Sequence, residues 1–126
     1  MRWLLDTDTV IALMRGASPR LDRRVGARPI GQIGVSSITL AELMYGVARS
    51  SRPGENATAL RAFLEPLEAA PFDAAAASAY GPLRQHLGAK GTPIGPLDTL
   101  IAAHALSLEA VLVTGNVREF RRVAGL

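Results

Sequence analysis

Short apolar runs alternate along this chain with longer stretches in which apolar residues recur every three or four positions. Residues 2–5, 31–36 and 110–114 read as buried strands, the second of them bounded by glycine. Residues 8–15, 19–28, 39–50 and 55–68 carry helical spacing. In the last of these, Leu60, Phe63, Leu64 and Leu67 fall on one face, after a turn at Ser51, Arg52, Pro53 and Gly54. Residues 70–72 fit a short edge strand, where Pro71 is tolerated. An Ala-rich helix over 73–87, a loop over 88–95 and a helix over 96–108 complete the pattern. Helices separated by short apolar strands predict an α/β fold with a mostly parallel sheet covered on both faces.

The chain has 126 residues, which points to one domain spanning 1–126 with a core of its own. Cysteine is absent, which removes disulfides, thiolate metal sites and a thiol nucleophile, and suits a reducing cytoplasm. The first residues lack the pattern of a signal peptide. Arg15, Arg49 and Pro66 interrupt the longest apolar stretches, so no membrane span is expected.

Against this background four acids recur in one kind of place. Asp6 follows Trp3, Leu4 and Leu5; Glu42 comes after the strand-like Ile33, Gly34, Val35 and Ser36; Asp98 opens a helix; Glu119 follows Val111, Leu112, Val113 and Thr114. In an open α/β sheet, ligands bind outside the carboxyl ends of the strands, so such residues converge. Clustered carboxylates stay ionised most readily around a hard cation.

The charge balance changes with that assignment. Net charge is +3, but with four of the 11 acids committed to a cation, 7 acids face 14 bases, all but one of them Arg. Such a surface attracts a polyanion, and Arg grips phosphate bidentately and stacks on bases. Trp3, Tyr45, Phe63, Phe72, Tyr80 and Phe120 are the only aromatic residues, and they form no stacking platform of the RNA-recognition-motif type.

Each acid also has an ordinary structural explanation. Thr39 and Glu42 fit a capping box, as Asn116 and Glu119 do less well. Asp98, two residues after Pro96, complements a helix dipole, and Asp8 fits the N-cap of the first helix. Asp6 resists such treatment, because an acid ending a buried run needs several hydrogen bonds or a cation. Capping and ligation are compatible, since helix N-termini supply positive potential. His86 and His104 read as partly exposed helix residues and not as ligands.

Four segments resemble the successive motifs of PIN-domain ribonucleases, most closely the VapC toxins of type II toxin–antitoxin systems. They are Leu4-Leu5-Asp6-Thr7-Asp8, the run from Ser36 through Glu42 to Gly46, Gly95-Pro96-Leu97-Asp98-Thr99-Leu100-Ile101-Ala102, and the run from Val113 to Phe120. The resemblance covers nearly the whole chain. It implies a PIN-like three-layer α/β/α sandwich with a central parallel sheet and Mg²⁺ or Mn²⁺ dependence. It also implies hydrolysis of structured or single-stranded RNA, with a tRNA anticodon stem-loop as one possible target. The implied partners are a cognate VapB-like antitoxin and a second copy of the chain.

By the same resemblance Asp6, Glu42, Asp98 and Glu119 are the catalytic acids. Asp6, Asp98 and Glu42 hold the metal, and Thr7, Thr114 and Asn116 orient ligands or water. Two departures stand out: Asp8 replaces the usual Asn of the first motif, and Asn116 stands where many PIN domains carry a fourth acid, with Glu119 one turn later. Leu60, Phe63, Leu64 and Leu67 are a candidate self-association surface, or core. Two other readings stay open. One is a PIN-like RNA-binding or regulatory module with weakened catalysis. The other is a haloacid-dehalogenase-like phosphatase with Asp6 as nucleophile and Asp8 as general acid, for which Lys90 is the only available lysine.

Overall fold

In the computed structural model, which describes residues 1–126, strand β1 (Trp3–Leu5) directs successive side chains to opposite faces of the sheet. Leu4 packs with Ile101, Ala105 and Ala110, whereas Leu5 packs with Val10, Ile33, Val35, Leu43 and Leu60. Both leucines are buried, so each face requires its own helical layer.

The sheet adds β2 (Ile33–Ser36), β3 (Glu68–Ala70) and β4 (Val111–Val113), all parallel, in the order β3-β2-β1-β4. Apolar residues of α1 (Thr7–Arg15), α2 (Pro19–Gly26), α3 (Ser37–Ala48) and α4 (Pro53–Leu64) pack on the Leu5 side. The opposite layer is α5 (Ala74–Ala89) and α6 (Pro96–Leu108), with Leu83, Leu87, Ile94, Ala102 and Ala103 between them. A final turn, α7 (Val117–Phe120), inserts Phe120 into that cluster. This is the three-layer α/β/α arrangement.

Chain order determines where the layers part. From β1 the chain builds outward to β2 and β3, then crosses to the far side of β1 to form β4. The switch point therefore lies between the carboxyl ends of β1 and β4, which is where an open α/β sheet forms its crevice. Asp6 directly follows β1, and its amide extends the ladder to the Val113 carbonyl at 3.1 Å.

Several expectations shift. The helix expected over 55–68 begins at Pro53 and ends at Leu64, and Glu68 opens β3, an edge strand two residues earlier than expected. Pro71 and Phe72 then lie beyond the strand, where the missing proline N–H costs no ladder bond. Leu60 is buried, and Phe63, Leu64 and Leu67 are half-buried around it, so the face packs chiefly into the core, while Leu60, Leu64 and Leu67 also line a groove toward α3. His104 is 1% exposed rather than partly exposed, whereas His86 is exposed. No helix is long and apolar enough to cross a membrane.

Gly34 marks the closest approach within the sheet. A Cβ there would stand 2.5 Å from the carbonyl oxygen of Glu68, its register partner, and would also collide with the Met1 side chain. Gly34→Ala is therefore expected to destabilise the fold by about 1–3 kcal/mol, through displacement of β3. Urea denaturation measures this; an unchanged midpoint would show that the β2–β3 pairing yields without cost.

Candidate metal centre

Asp6 is 3% exposed and is itself the N-cap of α1, the role that Asp8 was expected to fill. Its Oδ1 accepts from the Thr9 amide at 2.9 Å, and its Oδ2 accepts from the Thr114 hydroxyl. Thr114 Oγ1 in turn accepts from the Asn116 amide at 2.9 Å. Thr9 fixes the same corner by donating its hydroxyl to the Val113 carbonyl at 3.0 Å. The buried acid is thus held from both sides of the switch point by neutral donors, which offset its desolvation.

Glu42 does not close a capping box. The N-cap of α3 is Ser36, whose Oγ accepts from the Ile38 amide at 3.0 Å, so Thr39 already lies in the first turn of the helix and Glu42 in the second. Thr7 donates its hydroxyl to Glu42 Oε1 at 2.7 Å, and Thr39 Oγ1 lies 3.3 Å from Thr7 Oγ1. One hydroxyl proton cannot serve both partners. The charged acceptor takes it, and Thr39 donates to Thr7. Thr39, fully buried, is a positioning residue that its capping-box appearance concealed.

Asp98 lies in the first turn of α6, whose N-cap is Gly95. Glu119 reaches across from α7: its Oε1 accepts from the Gly95 amide at 2.9 Å, and its Oε2 accepts from the Asn116 side-chain amide. The expected box is thus made side chain to side chain, because the Asn116 backbone amide is occupied by Thr114. Asp98 Oδ2 and Glu119 Oε1 both lie within 4 Å of the point where a Cβ on Gly95 would stand. The Gly95 amide was not foreseen. The only sign of it was a glycine immediately before a Pro-started helix.

The electrostatics agree with this convergence. The pKa of Asp98 rises from 3.8 to about 6, first through burial and then through the charges of Glu119, Glu42, Asp6 and Asp8, in that order. Asp8 is exposed and ranks last among them. No arginine or lysine is ion-paired with these acids, since the one salt bridge in the protein, Arg52 to Glu55, lies elsewhere. As they stand, no three of the acids form a ready-made ligand trio around one point. Each of Asp6, Glu42 and Glu119 is turned toward a neutral hydroxyl or amide.

The donor chemistry nevertheless suits one class of ion. All the converging side chains offer carboxylate oxygen, which matches a hard divalent cation, with waters completing its coordination. Asp6, Glu42 and Asp98 are the residues that would hold it.

The helices bearing Glu42 and Asp98 share an anchor. His104, two turns beyond Asp98 on α6, places Nδ1 2.7 Å from Ser36 Oγ, the cap of α3. Phe72 meets its ring edge-on at 5.4 Å. Burial lowers the His104 pKa, against the opposing effects of the Asp73 charge and the Pro71 carbonyl. A neutral imidazole accepting the Ser36 hydroxyl proton leaves Ser36 free to accept from Ile38.

The PIN domain family matches residues 3–126. A tRNA(fMet)-specific endonuclease VapC from Salmonella typhimurium is 38% identical over the whole chain and 95% of its own length. Ribonuclease VapC2 from Rickettsia felis is 47% identical over 75% of this chain and 70% of that one. The crystal structure of DNA-bound VapBC from Salmonella typhimurium superposes with a TM-score of 0.95 at 38% identity, covering 100% of this chain and 95% of that one.

The raised pKa of Asp98 has a measurable consequence. Between its unfolded value of 3.8 and its folded value of about 6, the native state binds the extra proton, so stability falls as pH rises through that window. Asp98→Asn removes the repulsion. In EDTA near pH 7.5 the variant is expected to melt roughly 2–5 °C above the wild type, after allowance for solvent screening. By about pH 4 the difference should vanish. A variant that melts lower at both pH values would mean that Asp98 stabilises the helix more than its neighbours destabilise it.

Proposed function

The chain belongs to the PIN-domain family, among the VapC ribonucleases, and we propose from that premise that it is a divalent-cation-dependent endoribonuclease, the toxin of a type II toxin–antitoxin pair. Its substrate is structured or single-stranded RNA, with tRNA(fMet), named for its relatives, as the first candidate. The observation that carries this reading is the convergence of Asp6, Glu42 and Glu119 on Asp98 at the switch point, where their charges and burial raise its pKa and no basic side chain is ion-paired with them.

What Mg²⁺ or Mn²⁺ supplies when bound there is neutralisation of charge at the scissile phosphate and a water of lowered pKa. The protein's own contribution is placement. Thr9 and Thr114 hold the two oxygens of Asp6, and Thr7 holds Glu42 by one oxygen and leaves the other free. Glu119 draws α7 onto the start of α6 beside Asp98. The basic remainder of the surface favours approach of a polyanion that the acids alone would repel.

No observation favours the phosphatase alternative: Asp6 has both oxygens engaged, and Lys90, the only lysine, is exposed at the C-cap of α5. Nor does Asn116 mark a weakened site, since it donates to Glu119 and so helps place an acid there.

The natural partner is a VapB antitoxin, as in the VapBC complexes whose toxins share this fold. A groove of about 410 Å³ between α3 and α4, lined by Leu40, Met44, Val47, Leu60, Leu64 and Leu67, would accept an apolar antitoxin segment. A basic antitoxin residue among Asp6, Glu42 and Asp98 would complete the inhibition.

Mapping new RNA ends after brief induction tests activity and target together. Asp6→Asn and Asp98→Asn are each expected to remain folded while losing roughly 100-fold or more of cleavage and all growth inhibition. Full toxicity of either at matched expression would overturn the site.

Glu119→Gln is expected to cost more activity than Asn116→Ala. A glutamine cannot accept from both Gly95 and Asn116, and it removes a charge; alanine at 116 removes one donor. The comparison is made across a Mg²⁺ titration. If both losses follow melting temperature alone, Glu119 acts only by fastening α7.

A further inference from the structure

Beside the carboxylates, α3 carries a solvent-facing pair that the chemistry above does not use. Tyr45 is 67% exposed, and the Arg49 guanidinium lies over its ring, 5.4 Å from the centroid. Arg49 has no carboxylate partner, the one salt bridge being Arg52 to Glu55. Tyr45 follows Glu42 by three residues, so the two are neighbours on the helix surface, about 4.5 Å apart along its axis. Side chains on a helix lean toward its N-terminus. Because α3 starts at the carboxyl end of β2, a Tyr45 ring with that lean faces the end of the sheet where the acids lie, and Arg49, one turn on, reaches over it.

We propose that Tyr45, backed by Arg49, is a stacking site for a nucleobase flanking the scissile phosphate. The proposal rests on the ribonuclease reading and adds to it a positioning contact for substrate. A polyanion drawn to this site meets a cluster of carboxylates that repels its phosphates. Stacking holds a nucleotide by the face of its base and needs no charge at the contact. Arg49 covers one side of a tyrosine ring that is otherwise largely exposed, and its charge, without an ion-pair partner, can meet the adjoining phosphate. No Lys or Arg occurs within α3 itself, so Arg49 at its C-cap is the one basic side chain that this helix brings to RNA. A protein surface covering Tyr45 is the competing explanation.

Two measurements separate these readings. In the first, a short hairpin RNA with 2-aminopurine at each loop position in turn is bound in EDTA, so that the readout does not depend on cleavage. Fluorescence should be quenched at one position by the wild type and by Tyr45→Phe, but not by Tyr45→Ala or Tyr45→Leu. In the second, cleavage in Mg²⁺ is compared on the same hairpin with and without an abasic nucleotide at that position. Tyr45→Ala should lower kcat/KM roughly 10- to 100-fold on the intact RNA, chiefly through KM, and cause no further loss on the abasic one.

Equal losses on both RNAs, wild-type quenching by Tyr45→Ala, or Tyr45→Leu performing as well as Tyr45→Phe would overturn the proposal. Any of these combined with a loss of antitoxin binding would assign Tyr45 to the protein interface. The ribonuclease reading is judged separately, by whether Asp98→Asn abolishes cleavage that the wild type performs.

Discussion

Mutual repulsion among carboxylates at the carboxyl end of a parallel sheet is the constraint around which this protein is organised. Asp98 feels Glu119, Glu42, Asp6 and Asp8 together, and burial of its own carboxyl weakens the screening that water would provide. Side chains free to move would rotate apart. Here they are held by neutral donors: Thr9 and Thr114 on Asp6, Thr7 on Glu42, Gly95 and Asn116 on Glu119. Neutral donors fix an anion in place without cancelling its charge. The site therefore keeps the negative potential that the proposed divalent cation would need.

The fold supplies that arrangement through topology. Because β4 returns to the far side of β1, the helix layers part at the end of β1, and the loops after β1 and β4 face one another. Asp6 and Thr114 meet across that gap although 108 residues separate them. His104 then couples the two remaining helices by linking α6 to the cap of α3 through Ser36. Glycine at 34 lets β3 approach β2 closely, and glycine at 95 leaves open the space beside Asp98 and Glu119.

Much of this was legible in the sequence wherever one local signal dominated. Pro96 starts α6 and the periodicity carries it to Leu108 as expected, because Pro at the first helical position and an unbroken apolar stripe agree. The acids themselves were visible as charges at the ends of apolar runs. Partner choice was not. Thr39 and Glu42 satisfy the capping-box spacing, yet Ser36 takes the cap because its strand ends at that residue, and Glu42 is released to Thr7. Asp6 displaced Asp8 as the first cap for the same reason: the buried strand ends one residue before it. His104 looked like an ordinary helix residue, and only the packing of α6 against Ser36 and Phe72 buries it. The edge strand slipped by two residues because Glu68 and the small residues after it carry little strand signal of their own.

The central claim is that these acids form one charge-coupled site that gains a divalent cation in exchange for a proton. Calorimetric titration of the metal-free protein with Mn²⁺, repeated in buffers of different ionisation enthalpy, measures that exchange. With Asp98 titrating at about 6, binding at pH 6 should release a substantial fraction of a proton, and binding at pH 8 almost none. Mn²⁺ binding without proton release at pH 6, or release that persists in Asp98→Asn, would contradict the account.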